Sequence, residues 1–219
     1  MPKITDAQRD ARRQQILAAA LRCFSRDGFH NTTTADIVRE SGLSQGALYL
    51  YFATKDDIIV ALADDRHHAE AFLSAVVQSE QDPIDGLSLL LELYGRSLAD
   101  PHRLDALRVG IQGWAEALRN PTIHTSLTSG MSAVRHEIVS LIERGQRAGQ
   151  IRPGVAPDAV ARTLIAVFQG LILQVSWGEA IDLDIIGPFI REMLRGALFT
   201  DAALAAHPQP IIPSEEPLP

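Results

Sequence analysis

Apolar residues return every three to four positions along most of the chain, and the strict alternation of a half-buried strand is almost absent. Residues 9–27 place Ile16, Leu17, Ala20, Leu21 and Phe24 on one helical face. Gly28 ends that helix just past its last turn, and Phe29 is the apolar residue that accompanies such a cap. Thr33, with Asp36 at the third position beyond it, predicts a second helix start, with Ile37 and Val38 turned inward. Gly42 ends this short helix. Ser44 is a fresh N-cap, and residues 45–52 predict a third helix with Leu48 and Phe52 inward.

The joint Ser41-Gly42-Leu43-Ser44 is short and contains glycine, so it forces the two helices to cross steeply. That is the geometry of a helix-turn-helix. Thr54 and Asp57 cap a longer helix that runs from about Lys55 to Gln78. The pairs Asp82-Pro83, Asp100-Pro101 and Asn120-Pro121 each set a capping side chain before a proline that needs no N–H partner. They predict helices over 83–99, 102–118 and 121–148, the last closed by Gly149. Two more follow over 157–177 and 183–199, and from His207 onward five prolines in thirteen residues predict an extended or disordered tail. The expected fold is all-α: a helix-turn-helix domain over 1–54, a larger helical domain over 55–206, and a Pro-rich tail over 207–219.

Composition alters this picture in two ways. The net charge of −7 hides an asymmetry: residues 1–55 hold eight lysines and arginines against five acids, while the remainder holds twelve against twenty-two. A basic head on an acidic body fits a local phosphate-binding surface. The single cysteine, Cys23, excludes an internal disulfide framework and a Cys-rich zinc site. No run of about 18 uninterrupted apolar residues occurs, and the polar N-terminus lacks the apolar segment of a secretory signal. The expectation is a cytoplasmic protein without a membrane span.

The third helix offers base-reading chemistry at its first turn. Gln45 can hydrogen-bond an adenine in bidentate fashion, Gly46 lets the backbone approach, and Ala47 can touch a thymine methyl. Tyr49 and Tyr51 have hydroxyls that reach phosphates, and Thr33 and Lys55 sit at helix starts where anions are favoured.

The features Gly28-Phe29, Thr32-Thr33-Thr34, Asp36-Ile37-Val38, Gly42-Leu43-Ser44, Gly46, Leu48-Tyr49, Tyr51-Phe52 and Lys55 follow one another in a specific order and spacing. In this the chain resembles the TetR/AcrR family of bacterial transcriptional regulators. It departs at Leu50, where the family varies, and at Tyr51, where the family often has His; Tyr keeps a donor directed at phosphate. The resemblance implies that Thr33, Ser44, Tyr49, Tyr51 and Lys55, with Thr34 beside them, contact the DNA backbone. Gln45, Gly46, Ala47 and Leu50 would face the bases.

The helices over 157–177 and 183–199 are the most apolar of the chain, and a helix apolar on two faces is buried on both. Either a single chain satisfies both faces or a second copy covers one. The resemblance implies the latter: a homodimer on a palindromic operator in double-stranded DNA, joined through Leu164, Phe168, Leu171, Ile172, Val175, Phe189 and Met193. It also implies a small-molecule effector pocket within 83–148, with Tyr94, Gln112, Trp114, Met131, Phe168 and Trp177 as lining candidates. Glu92, Asp105 and Glu116 would suit a cationic effector. Repression is the family's usual mode, with activation or a purely protein-binding adaptor as alternatives.

Several motifs lead elsewhere and are set aside. Gly42-Leu43-Ser44-Gln45-Gly46 fits the nucleophile elbow of hydrolases, but that elbow follows a strand, and residues 34–41 read as helix. His67 and His68 are adjacent and cannot form an i, i+4 metal pair. His67 with Glu70, or His136 with Glu92, could bind a metal, but no E-x-x-H or H-E-x-x-H motif is present and solvated histidines are the reading adopted. No catalytic constellation, metal site or cofactor is expected.

Overall fold

The computed structural model describes residues 5–64, 82–100 and 103–206. Among them regular structure is helical, apart from one isolated antiparallel bridge between Ile151 and Phe199. In chain order the helices are α1 (Asp6–Asn31), α2 (Thr34–Ser41), α3 (Gln45–Tyr49), α4 (55–64, where the described stretch ends), α5 (Pro83–Ala99), α6 (Leu104–Ala117), α7 (Pro121–Arg147), α8 (Pro157–Ser176), α9 (Leu183–Leu198) and α10 (Asp201–Ala206). The chain divides into two compact units. The first holds described residues 5–64 and 103–130, and the second holds 82–100 and 131–206.

In the first unit, Ile16, Leu17, Ala20 and Phe24 of α1 are buried with Ile37 of α2, Leu48 of α3, Ile58 of α4, Val109 of α6 and Ile123 of α7. Each large apolar side chain removed from water contributes roughly 1.5–3 kcal/mol, so this shared cluster holds the short helices that could not persist alone. α6 therefore belongs to this unit, although the sequence grouped it with the later helices. Reciprocal side-chain caps start α1 at Thr5 with Gln8, α2 at Thr33 with Asp36 and α4 at Thr54 with Asp57.

α1 breaks at Gly28, whose φ of 81° is open to glycine at little cost. One further turn then carries Phe29 back against Phe24, edge to face at 4.7 Å. The break is bridged from α6. The Gln112 amide accepts from the Phe29 N–H at 3.0 Å and donates to the Phe24 carbonyl, also at 3.0 Å. Gln112 is thus committed to the helix break and not to an effector pocket. On the same helix Asp105 accepts from Ser25 at 2.6 Å, and Glu116 lies 3.3 Å from His30. These two carboxylates are engaged on α1, and Glu92 pairs with Arg96 one turn along α5. The acid cluster expected for a cationic effector is accordingly spent in three separate contacts.

In the second unit α5 packs against α8 and α9. Tyr94 and Phe168 come together here, ring centroids 4.6 Å apart. Met131 is half-buried in this unit, as is Trp114 in the first. Leu164, Leu171 and Ile172 are buried within the chain, and Phe168 and Val175 are half-buried. The first three are therefore core residues and cannot form a face for a second copy. The outward apolar residues are Trp177 at 68% exposure, Ile185 at 67%, Phe189 at 69% and Met193 at 42%. Trp177, expected to line a pocket, stands at the surface past the end of α8.

Asp82 caps α5 and Asn120 caps α7 as the sequence predicts. Asp100 instead closes α5, while α6 opens at Leu104 behind Arg103, which supplies no side-chain cap. The long helix expected over 55–78 is described only to residue 64, and the Pro-rich tail and His67-His68 lie outside the described residues. α10 is a helix the sequence reading placed in no element. By length and composition alone α8 could cross a membrane, contrary to the expectation from uninterrupted runs; core helices of soluble proteins pass the same test.

Candidate nucleic-acid interface

The two-helix element is built by its caps and one anchor. Gly42 takes a left-handed φ of 69°, which ends α2 after Ser41 and lets the chain reverse within three residues. Ser44 then accepts from the Ala47 N–H at 3.2 Å to open α3. No strand precedes Ser44, so the elbow geometry of a hydrolase is absent at this position. Leu48 is fully buried and pins α3 to the core. Opposite it, Gln45 and Gly46 are exposed and Ala47 is half-buried. At the far end Tyr49 is 47% exposed and Leu50 is 83% exposed. α3 thus offers a polar, nearly bare first turn and an aromatic and an aliphatic side chain to whatever approaches it.

The helix is shorter than the sequence suggested. It ends at Tyr49 because Leu50 is its C-cap and Tyr51 enters a turn packed against the core. Tyr51 is half-buried, so its ring is partly structural. Tyr49 lies beside α2: its hydroxyl is 3.4 Å from the Thr34 hydroxyl. Hydrogen bonds from Thr34 and then Gln45 hold the Tyr49 phenol below its usual value. Thr34, Gln45 and Tyr49 therefore form one exposed polar group spanning α2 and α3.

Two expected phosphate ligands have other partners. Thr33 donates its N–H and its hydroxyl to the Asp36 carboxylate at 2.9 and 2.6 Å. Those bonds to Thr33, reinforced by Arg39, lower Asp36 to about 2. The start of α2 is thus already occupied by an anion. Lys55 is half-buried, and its ammonium donates to the carbonyls of Phe29 and Thr32 at 2.5 and 3.1 Å. It ties the start of α4 to the end of α1, a long-range bond with no local sequence signal.

Residues 16–62 match the family described as "Bacterial regulatory proteins, tetR family", and residues 83–198 match "BetI-type transcriptional repressor, C-terminal". The chain belongs to the TetR family. It is a DNA-binding transcriptional regulator whose C-terminal region is of a repressor type. A similar protein is the HTH-type transcriptional repressor Rv1474c of Mycobacterium tuberculosis, 28% identical over 87% of this chain and 99% of that one. A regulator from Saccharomonospora viridis, solved in complex with choline, is 29% identical and has a TM-score of 0.71 over 88% of this chain and 100% of that one. A TetR regulator from Haloarcula marismortui shares the fold at TM-score 0.76 and 22% identity, over 86% of this chain and 99% of its own. In this TetR-family regulator, then, the exposed first turn of α3 stands where the helix-turn-helix places its recognition helix.

Proposed function

We propose that this regulator binds a palindromic operator as a homodimer through the exposed turn of α3 and releases it when a small molecule binds the second unit. Support comes from one observation above all: Gln45, Gly46 and Ala47 are presented outward by a helix whose Leu48 is locked in the core. A rigid, short, polar tip is what a base edge in the major groove requires. Gln45 reads a base, with Gly46, Ala47 and Leu50 against the groove floor. Ser44, Thr34, Tyr49 and the Tyr51 hydroxyl meet the flanking phosphates. Thr33 and Lys55 act chiefly by holding α2 and α4 in place.

The dimer reading rests on the apolar stripe Ile185, Phe189 and Met193 of α9, with Trp177 after α8. A symmetric pair of copies reads two half-sites about 34 Å or a multiple of that apart. The effector acts by preferring one of two spacings, and shifts the equilibrium only by its difference in affinity between them. Tyr94 and Phe168 are the aromatic surface in the second unit where such a ligand would bind. We place the protein in the cytoplasm, with its operator.

A gel-shift titration on the DNA upstream of the chain's own coding region tests the reading against a scrambled duplex. The expected result is salt-sensitive binding that prefers the natural sequence. Tyr49→Ala weakens it about tenfold while the helical circular dichroism stays intact, the scale of one lost contact of roughly 1–2 kcal/mol. Unchanged binding by Tyr49→Ala would overturn the site assignment. Choline, the ligand of the Saccharomonospora viridis regulator, is one effector probe, its quaternary ammonium matched to the Tyr94 and Phe168 rings and not to a carboxylate, read as release of the bound duplex.

A further inference from the structure

The cations of α1–α4 differ in what holds them. Arg22 meets Glu40 at 2.6 Å, Arg26 meets Asp27 at 2.9 Å and Arg39 meets Asp36 at 2.5 Å. Lys55 is bound by two carbonyls. These four are answered by the protein itself. Arg9 and Arg12 are exposed, and neither meets an acidic partner among the described residues. Arg13, beside them, lies 6.0 Å above the ring of Phe52.

The arrangement opposes helix stability. Positions 9, 12 and 13 are neighbours on a helix surface, where like charges repel. They also sit near the positive end of the helix dipole, offset only by Asp6 and Asp10. At helical spacing they continue the face that carries Ile16, Leu17 and Ala20. The face that packs on the helix-turn-helix in its later turns is therefore arginine in its first two. Gln15 donates to the Ser41 carbonyl at 2.8 Å, which fixes this overhang beside the turn leading into α3. From residue 15 back to residue 6 the helix extends roughly 13 Å at its rise per residue. That span is comparable with the major groove, about 12 Å wide.

We propose that Arg9 and Arg12 form a second, sequence-independent DNA contact that grips phosphates flanking the groove read by α3. The contact rests on α3 being the recognition helix, and it separates two tasks: α3 selects the sequence and the first turns of α1 add affinity. The repulsion stored along α1 is relieved when the phosphates arrive.

The test is the salt dependence of binding to the natural duplex and to a scrambled one, for the wild type and for Arg9→Ala/Arg12→Ala. Each phosphate contact contributes about 0.9 to the slope of log affinity against log salt, so the variant loses about 1.8 per protomer. Between 50 and 200 mM salt its affinity then falls roughly 12-fold less per protomer than that of the wild type. The preference for the natural over the scrambled duplex is unchanged, and Arg9→Lys/Arg12→Lys keeps the wild-type slope. Arg147→Ala/Arg152→Ala, with the same change in net charge, also keeps it. An unchanged slope in Arg9→Ala/Arg12→Ala, or an equal drop in the Arg147/Arg152 variant, overturns the proposal while leaving the role of α3 standing. A wild type that cannot distinguish the two duplexes overturns the reading of α3 and the proposal with it.

Discussion

The two units of this regulator treat their apolar residues differently. In the first unit, α1 to α4 turn most of their large apolar side chains into one cluster; Tyr49 and Leu50 at the end of α3, and Leu118 just past α6, stand singly outside it. In the second, α9 is apolar on two opposite faces. Ile190, Leu194 and Leu198 are buried, while Ile185, Phe189 and Met193 face outward. The first pattern is one shared core with isolated apolar side chains outside it. The second leaves a row of apolar side chains at the surface, the face on which the proposed dimer rests.

Substitutions can break this contrast. The largest effect is expected at Leu164, buried on α8: Leu164→Asp places a carboxylate in the core and destabilises the chain by more than about 4 kcal/mol, read as loss of the cooperative thermal transition. Phe189→Asp, one helix away, should leave the helical spectrum intact and convert a dimer to monomers, measured by light scattering. If Phe189→Asp unfolds the protein as Leu164→Asp does, the outward face is not a free surface and the contrast fails.

Smaller effects sharpen the account of the first unit. Gln112→Ala removes two hydrogen bonds across the α1 break and should cost about 2 kcal/mol in a denaturant titration, twice the usual value of one bond. Thr33→Ala removes one cap and should cost about 1 kcal/mol. The smallest effect is the acid limb at Asp36. Its folded value, about 2, lies below its ordinary 3.8, so its contribution is full above that ordinary value and disappears as pH falls toward 2. Asp36→Asn should flatten stability against pH in that window, and an unchanged curve would remove Asp36 from the capping account.

What could be read in the sequence was local. Thr33 with Asp36, Ser44, Thr54 with Asp57, Asp82 and Asn120 all cap the helices they precede, because a cap is decided by residues two or three positions apart. Gly28 and Gly42 take the positive φ that their helix-ending positions demand. The misses are contacts at long range. Gln112 lies 83 and 88 residues from the groups it bridges, and Lys55 lies 26 and 23 from its carbonyls. Nothing in the local pattern marks either. The inward and outward faces of α8 and α9 were ambiguous for a related reason: when both sides of a helix are apolar, periodicity cannot tell which side the chain covers itself. Leu164, Leu171 and Ile172 are therefore buried where the pattern alone also allows an outward face, and nothing in it marks Ile185 as outward. The composition of α3 announced its chemistry, whereas the length of α3 did not, because Leu50 and Tyr51 leave the helix for tertiary reasons.

The joint at Gly28 has one more consequence. The Gln112 amide that spans it carries no formal charge, so neither ionic strength nor acidity near neutrality weakens that splice. The neighbouring His30–Glu116 contact, 3.3 Å apart and exposed on the His30 side, is of a different kind, since salt screens an exposed ion pair. Concentrated electrolyte therefore loosens the protein's hold on nucleic acid while the splice in the gripping unit keeps its shape, and a salt titration of this protein reports on the grip and not on the hand.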